Sequence, residues 1–288
     1  MIQRTCLVVL LGLAIAWFGC PRDGNADGNS PADTNTPADA GGDWYKPDVG
    51  TTWQWQLQPS AANEINITYD VDAYDIDLFD TSTALIDELH GQGRRVICYF
   101  SAGTYEDFRA DANEFAAAAL GNALEEWAGE RWLDIRAANV RQIMLARLDL
   151  AVEKGCDCVE PDNVDGYVND SGFPLTAQDQ LDFNRFIADE AHARGLCVGL
   201  KNDLDQISQL VAYFDFSVNE QCHEYDECDA LQPFIDAGKP VFNAEYAGAY
   251  VNNAAERTAL CDDAQDRGFH TLVLPLNLDD AFRLSCAP

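Results

Sequence analysis

Short apolar segments and amphipathic helical patterns alternate along most of this chain. Eight segments have the length and composition of buried β-strands, and helical patterns separate most of them. Several of these patterns end in glycine just before the next strand, as in EKGCDCV and ARGLCVG, which is a common way for a helix to end. Eight strands with helices between them predict an α/β fold, a closed (β/α)8 TIM barrel in a single domain.

The bounds of these elements follow from the same patterns. The predicted strands are 53–57, 71–76, 95–101, 157–162, 197–201, 213–219, 240–244 and 271–275. The predicted helices are 82–91, 137–154, 177–194, 204–211, 230–237 and 253–267. The long segment 102–136, between the third strand and its helix, is expected to be a functional βα insertion.

The first 43 residues differ in composition from the rest of the chain. Residues 1–20 contain an apolar run too short for a comfortable membrane span, which predicts a secretory signal peptide. The run ends at Cys20, where a bacterial lipoprotein would carry its lipid, so plain secretion and a lipid anchor both stay open. Residues 21–43 have no aromatic or large aliphatic side chain and are expected to form a disordered acidic linker. Residues 44–288 then form the barrel, outside the cell, at the cell surface or in the periplasm.

The net charge is strongly negative. The chain carries −31, and the first 43 residues contribute −3, so −28 falls on the predicted barrel. A surface this acidic repels nucleic acid and anionic lipid and attracts a polycation. A coat of charge for solubility or salt adaptation explains the same number, and charge alone favours that simpler explanation.

Eight cysteines lie beyond the signal segment, and an even number in an exported domain predicts disulfides. Cys222 and Cys228 are placed to close a short loop, and Cys261 with Cys286 to fix the C-terminus. No histidine pair accompanies the remaining cysteines, so neither a zinc site nor any other cofactor is expected. Pairing stays open for Cys98, Cys156, Cys158 and Cys197.

The segment CDCVEPDNVDGY, residues 156–167, runs from an apolar strand directly into a cluster of carboxylates. In a barrel, polar residues just past the carboxyl ends of the strands converge on one pocket. Asp162 and Glu220 come from different strands and meet the requirement of glycosidic bond cleavage, in which one carboxyl protonates the leaving oxygen and the other attacks or activates water. Glu245 competes for either role. A Ca²⁺ site in the same acidic cluster is the weaker alternative, because no spaced Asp/Gly ligand loop is present.

Other strand-end and aromatic residues are candidates for substrate contact. They are Trp53, Asp75, Asp77, Tyr99, Asn163, Asp165, Lys201, Asn202, Glu245 and Tyr246. The tryptophan fits the barrel core equally well, and Asp75 and Asp77 can instead cap a helix or turn. Lys201 ends a buried strand and needs a partner, so an ion pair with Glu160 or Asp162 is as good an explanation as substrate contact.

Seven motifs between residues 53 and 250 resemble glycoside hydrolase family 114, the endo-α-1,4-polygalactosaminidase-like proteins. They are WQWQL, YDIDLFDTS, VICYFSAGTYEDFR, GERWLDIR, VEPDNVDGY, GLKND and VNEQC. The resemblance implies a (β/α)8 fold and hydrolysis of α-1,4-linked galactosamine polymers. It also implies that the catalytic acids are the aspartate of EPDN, Asp162, and the glutamate of NEQC, Glu220.

We therefore expect an exported, monomeric, endo-acting glycosidase that uses no cofactor and binds a cationic amino-sugar polysaccharide. It should have no nucleic-acid partner and no membrane insertion beyond the possible anchor at Cys20. A hydrolase of another α-linked glycan is one alternative, and a non-catalytic glycan-binding barrel, which does not need both acids, is the other. Aspartate is the shorter side chain, so we assign Asp162 as nucleophile and Glu220 as acid/base, with retention of configuration.

Overall fold

The computed structural model describes residues 43–60, 62–125 and 127–286. The predicted signal peptide, the lipidation site at Cys20 and the linker up to residue 42 lie outside the described residues. The strands are β1 (Trp53–Gln56), β2 (Ala73–Asp77), β3 (Arg95–Ser101), β4 (Thr104–Glu106), β5 (Leu120–Ala123), β6 (Glu130–Leu133), β7 (Cys158–Asp162), β8 (Cys197–Lys201), β9 (Phe216–Glu220), β10 (Val241–Glu245), β11 (His270–Val273) and β12 (Leu284–Ser285). The helices are α1 (Thr83–Gly91), α2 (Ala138–Lys154), α3 (Ala177–Ala193), α4 (Ile207–Leu210), α5 (Gln232–Asp236), α6 (Gly248–Asn252) and α7 (Ala254–Arg267).

The main sheet has the topology of a TIM barrel. Strands β1, β2, β3, β7, β8, β9, β10 and β11 are parallel and neighbour one another in chain order. Strand β12 pairs antiparallel with β11, and beside it Arg283 donates hydrogen bonds to the Trp53 carbonyl and the Gln54 side chain of β1. The C-terminal segment thus connects the last barrel strand to the first, and the predicted TIM-barrel fold class is confirmed.

Side chains of the barrel strands fall into two hydrophobic clusters, because successive residues of a strand point to opposite faces of the sheet. The larger cluster includes helix residues such as Leu89 and Leu148 and fills the layer between the strands and the helices. The smaller cluster holds strand residues such as Trp55, Cys197 and Phe242 and fills the barrel interior. Whether a strand residue faces the barrel interior or the surrounding helices therefore depends on its place in this alternation.

Trp53 belongs to the inner cluster and is the first residue of β1. Its side chain is 1% exposed, stacks on Phe242 and donates from Nε1 to the His270 carbonyl at 2.8 Å. Barrel enzymes carry their sites at the carboxyl ends of the strands, and Trp53 lies at the other end. The structure corrects the prediction that Trp53 contacts substrate, because this residue is part of the core.

The eight cysteines beyond residue 20 form four disulfides. Two of them are the predicted loop closure and the predicted C-terminal link, and the structure also pairs the four cysteines that sequence left open. Disulfides form and persist in oxidising compartments, so this protein matures in one. Within the described residues, no helix combines the length and the hydropathy that crossing a bilayer requires. The disulfides are Cys98–Cys156, Cys158–Cys197, Cys222–Cys228 and Cys261–Cys286.

The expected insertion forms a small sheet with strand order β4-β6-β5, attached to the barrel by buried ion pairs. Arg109, 5% exposed, binds both carboxylate oxygens of Asp77 at 2.9 and 2.6 Å and lies 2.9 Å from Glu106. Arg147 of α2 reaches Asp111 at 2.8 Å. The backbone N–H groups that follow β2 also donate to Asp77. Its carboxylate is fully used by the fold, and the structure corrects the prediction that Asp77 contacts substrate.

Replacing Asp77 with asparagine should lower the free energy of unfolding by about 3 kcal/mol, because it leaves the buried Arg109 without its main partner. The matched control is Asp80→Asn, since Asp80 also pairs with Arg109, at 3.7 Å, but is 82% exposed. This exposed pair should contribute less than about 1 kcal/mol. Urea unfolding of the three proteins measures both effects. Equal losses in the two variants would contradict the assignment of Asp77 as the anchor.

Candidate active site

Lys201 ends β8 and points into the mouth of the barrel, although it is only 3% exposed. Its Nζ lies 3.0 Å from Asp162 Oδ1, 3.0 Å from Glu220 Oε2 and 3.7 Å from Glu160 Oε1. The ammonium also lies 5.0 Å from the centre of the Trp55 ring, a cation–π contact. A lysine buried this deeply needs such partners, so the structure favours the ion-pair explanation for Lys201 over substrate contact.

The lysine brings together the two carboxylates that the sequence nominates for catalysis. Because Asp162 Oδ1 and Glu220 Oε2 each lie 3.0 Å from the same nitrogen, these two oxygens are at most twice that distance apart. The Asp162 side chain is 17% exposed and that of Glu220 is 27% exposed, whereas Lys201 is almost closed off. The acids therefore form the accessible surface of the site, and the cation lies behind them.

A tyrosine hydroxyl orients each of the two acids. Tyr99 donates to Asp162 Oδ2 at 2.9 Å, and Tyr246 donates to Glu220 Oε1 at 2.5 Å. Burial, and then the carboxylate that each ring faces, raises the pKa of both tyrosines well above the ordinary value. Both hydroxyls therefore keep their protons and remain donors. Tyr99 and Tyr246 remain candidates for substrate contact beside the acids they hold.

The charge of Lys201 is secured by its surroundings. Burial alone lowers the pKa of this lysine, but Asp162, Glu220 and Glu160 raise it, and the net shift is well upward. The ammonium form therefore persists through neutral pH. A persistent cation between Asp162 and Glu220 offsets the repulsion that two close carboxylates would otherwise have.

The strands that carry these groups stop abruptly. The residue after β7, β8 and β9 in turn has a left-handed backbone, with φ of 59° at Asn163, 47° at Asn202 and 63° at Gln221. Asparagine tolerates this region better than most residues. The Asn163 N–H donates to Asp162 Oδ1 at 2.7 Å, and Asn202 Oδ1 accepts from the Glu220 N–H at 3.0 Å. These asparagines hold the acids in place, whichever of them also meets substrate.

Asp75 lies deeper in the barrel, on β2, and is completely buried, as is Glu160 on β7. Burial raises the pKa of Asp75 to about 8 and that of Glu160 well above its usual range. A polysaccharide cannot reach a carboxyl that is closed off in this way. The structure therefore corrects the prediction that Asp75 contacts substrate.

Glu245 also has a structural role. It alternates with Phe242 and Ala244, which face the interior, so it points to the outer layer, and it is completely buried. Its Oε1 accepts from the His223 N–H at 2.9 Å and from Asn243 Nδ2 at 3.1 Å. Glu245 therefore holds the loop that follows β9. The structure corrects the prediction that Glu245 contacts substrate or competes with Asp162 and Glu220 for a catalytic role.

A cleft of about 370 Å³ opens beside Glu220. Loops after β7, β8 and β9 form it, and its lining contains no lysine, arginine or histidine among the described residues. Five carboxylates and two tyrosines line it: Asp165, Asp203, Asp205, Glu220, Glu227, Tyr167 and Tyr225.

Two acids of the cleft titrate away from their usual range. Burial raises the pKa of Asp203 to about 8, and Asp165 adds to this effect. Burial, followed by the charge of Asp162, raises the pKa of Asp165 to about 6. Asn184 donates to Asp203 Oδ2 at 2.8 Å, but Oδ1 is buried without a donor among the described groups. Asp203 is therefore largely protonated near neutral pH, and the negative charge of the cleft comes from its other carboxylates.

Sequence reasoning had missed four of these lining residues. Asp203 and Asp205 stand just beyond the end of β8, in KNDLD, so a wider reading of the strand-end rule would have included them. Tyr225 and Glu227 belong to the disulfide-closed loop after β9, and no local sequence pattern sets the path of that loop into the cleft.

An α/β barrel with two carboxylates from different strands at its mouth is the arrangement of a glycoside hydrolase. Residues 34–288 match the profile of glycoside-hydrolase family GH114, and the chain belongs to this family. The family resemblance carried by the motifs is therefore confirmed. No curated protein sequence matches the chain.

Solved structures agree with this assignment. The fold is similar to that of Aspergillus fumigatus Ega3 in complex with galactosamine, with 45% sequence identity and a TM-score of 0.79, over 85% of this chain and 100% of that chain. It also resembles the glycoside hydrolase domain of PelA from Pseudomonas aeruginosa, with 16% identity and a TM-score of 0.62, over 81% of this chain and 97% of that chain. The second similarity bears on the fold alone.

Replacing Lys201 with methionine should destabilise the protein by about 3–5 kcal/mol near pH 8, because buried carboxylates lose their shared cation. The loss should shrink toward about pH 5. Without the ammonium, the folded-state pKa of Asp75 and Glu160 rises further. When folding raises the pKa of a carboxyl, the folded protein loses stability as pH rises toward that pKa. Urea unfolding across this range measures the difference from the unsubstituted protein.

Lys154→Met is the matched control for Lys201→Met. The hydrogen bonds of Lys154 Nζ all go to backbone carbonyls, those of Leu78, Phe79 and Thr81. Its replacement should therefore cost stability with far less dependence on pH. The same flat pH response in Lys201→Met would show that Lys201 does not neutralise the acids.

Proposed function

We propose that this protein is an endo-acting glycoside hydrolase that cleaves α-1,4-linked, galactosamine-containing polysaccharide with Asp162 and Glu220. The observation that carries the proposal is the bridge from Asp162 through Lys201 to Glu220, which opens onto a cleft lined by acids. We further propose that the protein acts as a monomer outside the cell, either secreted or held by a lipid at Cys20, and has no nucleic-acid partner.

The charge of the cleft supports an amino-sugar substrate. Sugars with free amino groups are cationic while those amines are protonated. The ionised carboxylates of the cleft, whose described lining contains no basic residue, attract such a chain. The net charge of −31 acts in the same direction at longer range. Ega3, which is 45% identical, was solved with galactosamine bound. Tyr167 and Tyr225 can pack against the apolar faces of sugar rings.

The spacing of the acids supports a retaining mechanism. Retaining glycosidases hold their carboxyls about 5–5.5 Å apart, whereas inverting enzymes leave about 6.5–9.5 Å for a water. Lys201 Nζ contacts one oxygen of Asp162 and one of Glu220, which brings the two carboxyl groups side by side and favours the shorter, retaining spacing. Glu220 is the more exposed acid, which suits an exchange of protons with the leaving group and with water.

The reaction then has two steps. In the first step Glu220 must hold a proton in the reacting complex. Asp162 attacks the anomeric carbon while Glu220 gives this proton to the glycosidic oxygen, so the C–O bond breaks and a glycosyl ester forms. In the second, Glu220 takes a proton from water, the water oxygen attacks the anomeric carbon, and Asp162 leaves as a carboxylate. Lys201 favours this second step, because its ammonium stabilises the carboxylate that is released.

Neither alternative function explains the site as well. A non-catalytic glycan-binding barrel has no need to hold Asp162 and Glu220 within reach of one reacting centre. A hydrolase of another α-linked glycan would use the same acids, but a neutral glycan would gain nothing from the charge of the cleft. Rates on cationic galactosaminan and on neutral α-glucans separate these cases.

Asp162→Asn and Glu220→Gln should each reduce hydrolysis of galactosaminan by roughly 10²–10⁴-fold or more, because each removes a reacting group while keeping its shape. Product chromatography with purified protein measures the rates. Glu245→Gln is the control, since it changes a buried carboxyl that the reaction does not use, and it should remain active. If Asp162→Asn or Glu220→Gln kept near-normal turnover, the proposed pair would be wrong.

Electrostatic attraction predicts that kcat/KM on partly de-N-acetylated galactosaminan falls as ionic strength rises, because screening acts within about 8 Å at physiological salt. Full N-acetylation removes the charge of the polymer and should weaken this salt effect. Neutral α-glucans serve as the comparison substrates. If the rate on the cationic polymer did not depend on salt, the net negative charge would serve solubility and not substrate attraction. Faster cleavage of a neutral α-glucan would show that the substrate is a different glycan.

A further inference from the structure

Two carboxyl groups lie beneath Lys201 and take no direct part in the proposed chemistry. Asp75 comes from β2 and Glu160 from β7, and both are completely buried. None of their four oxygens receives a hydrogen bond from another described group. The two side chains are within hydrogen-bonding reach of each other once one of them holds a proton. Lys201 Nζ lies 3.7 Å from Glu160 Oε1.

Two carboxyl groups can hydrogen-bond to each other only if one of them carries a proton, because an ionised carboxylate is an acceptor only. Two adjacent carboxylates without water or donors would also repel strongly, and such sites keep a proton on one member. A neutral pair would leave Lys201 with less counter-charge below it. One shared proton, and so one negative charge, is the state that satisfies both constraints.

Charged and titratable groups from each neighbouring element face this pair. Asp162 adds negative charge and Lys201 adds positive charge to the surroundings of both carboxyls. Tyr99 from β3 and Tyr246 after β10 both feel the charge of Glu160 but stay protonated. Glu220 of β9 pairs with Lys201, and Lys201 also approaches Glu160. Lys201 is therefore the residue through which the pair acts on Glu220.

We propose that Asp75 and Glu160 share one proton and act as a positioning pair that holds the Lys201 ammonium between Asp162 and Glu220. This inference rests on the proposed function, since the pair acts through Lys201 on the proposed catalytic acids. With a single charge, the pair supports Lys201 from below. With two charges, it would compete for the ammonium, which now lies nearer to the acids of the mouth, at 3.0 Å from each.

The shared proton should be retained at neutral pH and lost in alkaline solution. Burial raises the pKa of Asp75 to about 8 and raises that of Glu160 well above its usual range, and the two titrate as a unit. A carboxyl whose pKa is raised by folding contributes stability below its unfolded pKa, and this contribution is lost as pH rises toward the folded pKa. For this pair the window runs from about pH 4 to about pH 8.

The first test measures the proton without relying on activity. Asp75→Asn removes the titrating carboxyl and supplies a permanent N–H donor to Glu160. The Tm of the unsubstituted protein should fall relative to that of Asp75→Asn from about pH 5 to about pH 8, and the difference should then level off. Asp87→Asn makes the same change on the exposed face of α1 and should show a constant difference. A constant difference for Asp75→Asn as well would overturn the shared proton.

The second test measures positioning. In Asp75→Asn the pair can never carry two negative charges, so the alkaline decline of kcat should be weaker than in the unsubstituted protein on the same substrate. Asp75→Ala leaves Glu160 without a donor, and its kcat should be roughly tenfold or more below that of Asp75→Asn, with little change in KM. Equal kcat in these two variants, or an unchanged alkaline decline in Asp75→Asn, would overturn the positioning role.

The two tests separate this inference from the proposed function. If the unsubstituted protein cleaves none of the polysaccharides, the proposed function fails, and the Tm experiment still decides the shared proton. If the protein is active and the Tm difference does not depend on pH, the proposed function stands and the pair is overturned.

Discussion

One buried ammonium group, that of Lys201, makes the rest of the site possible. Its Nζ lies 3.0 Å from one oxygen of Asp162 and 3.0 Å from one oxygen of Glu220. Without this cation, the repulsion between the two ionised acids would push them apart or favour the binding of a proton by one of them. The backbone sets its position, because β7, β8 and β9 are adjacent and each ends at a left-handed residue. Three neighbouring strands thus bring a carboxylate, an ammonium group and a second carboxylate together at the mouth of the barrel.

The acidic groups of the site lie at three levels, from the barrel interior to the open cleft. Asp75 and Glu160 lie below the lysine, the proposed catalytic acids lie at the mouth, and further carboxylates line the open cleft. Arg109 and Arg147 are used elsewhere, in buried ion pairs that attach the inserted sheet to the barrel. Among the residues that the structure describes, no basic group lines the cleft, so its negative potential is not cancelled where a cationic sugar would bind.

Sequence patterns predicted the barrel well, because each predicted strand and helix has its own apolar periodicity and a glycine or polar stop. The rule that functional groups follow the carboxyl ends of the strands also nominated Asp162, Lys201 and Glu220, whose side chains all face the barrel interior. The rule failed for residues that lie away from the mouth or whose side chains face the outer layer. Trp53 stands at the wrong end of its strand, and Glu245 points outward, a difference that comparing alternate residues of β10 could have revealed. The acidic cleft needs loop paths that only the folded chain defines.

The configuration of the first product tests the central claim, that Lys201 holds Asp162 and Glu220 close enough to act as nucleophile and acid/base. NMR spectroscopy of an early galactosaminan digest, recorded before mutarotation, gives this configuration directly. A retaining pair must release the α-anomer first, because two displacements at the anomeric carbon restore the starting configuration. Early release of the β-anomer would contradict the account, since it requires a water between substrate and carboxylate and makes Asp162 a general base.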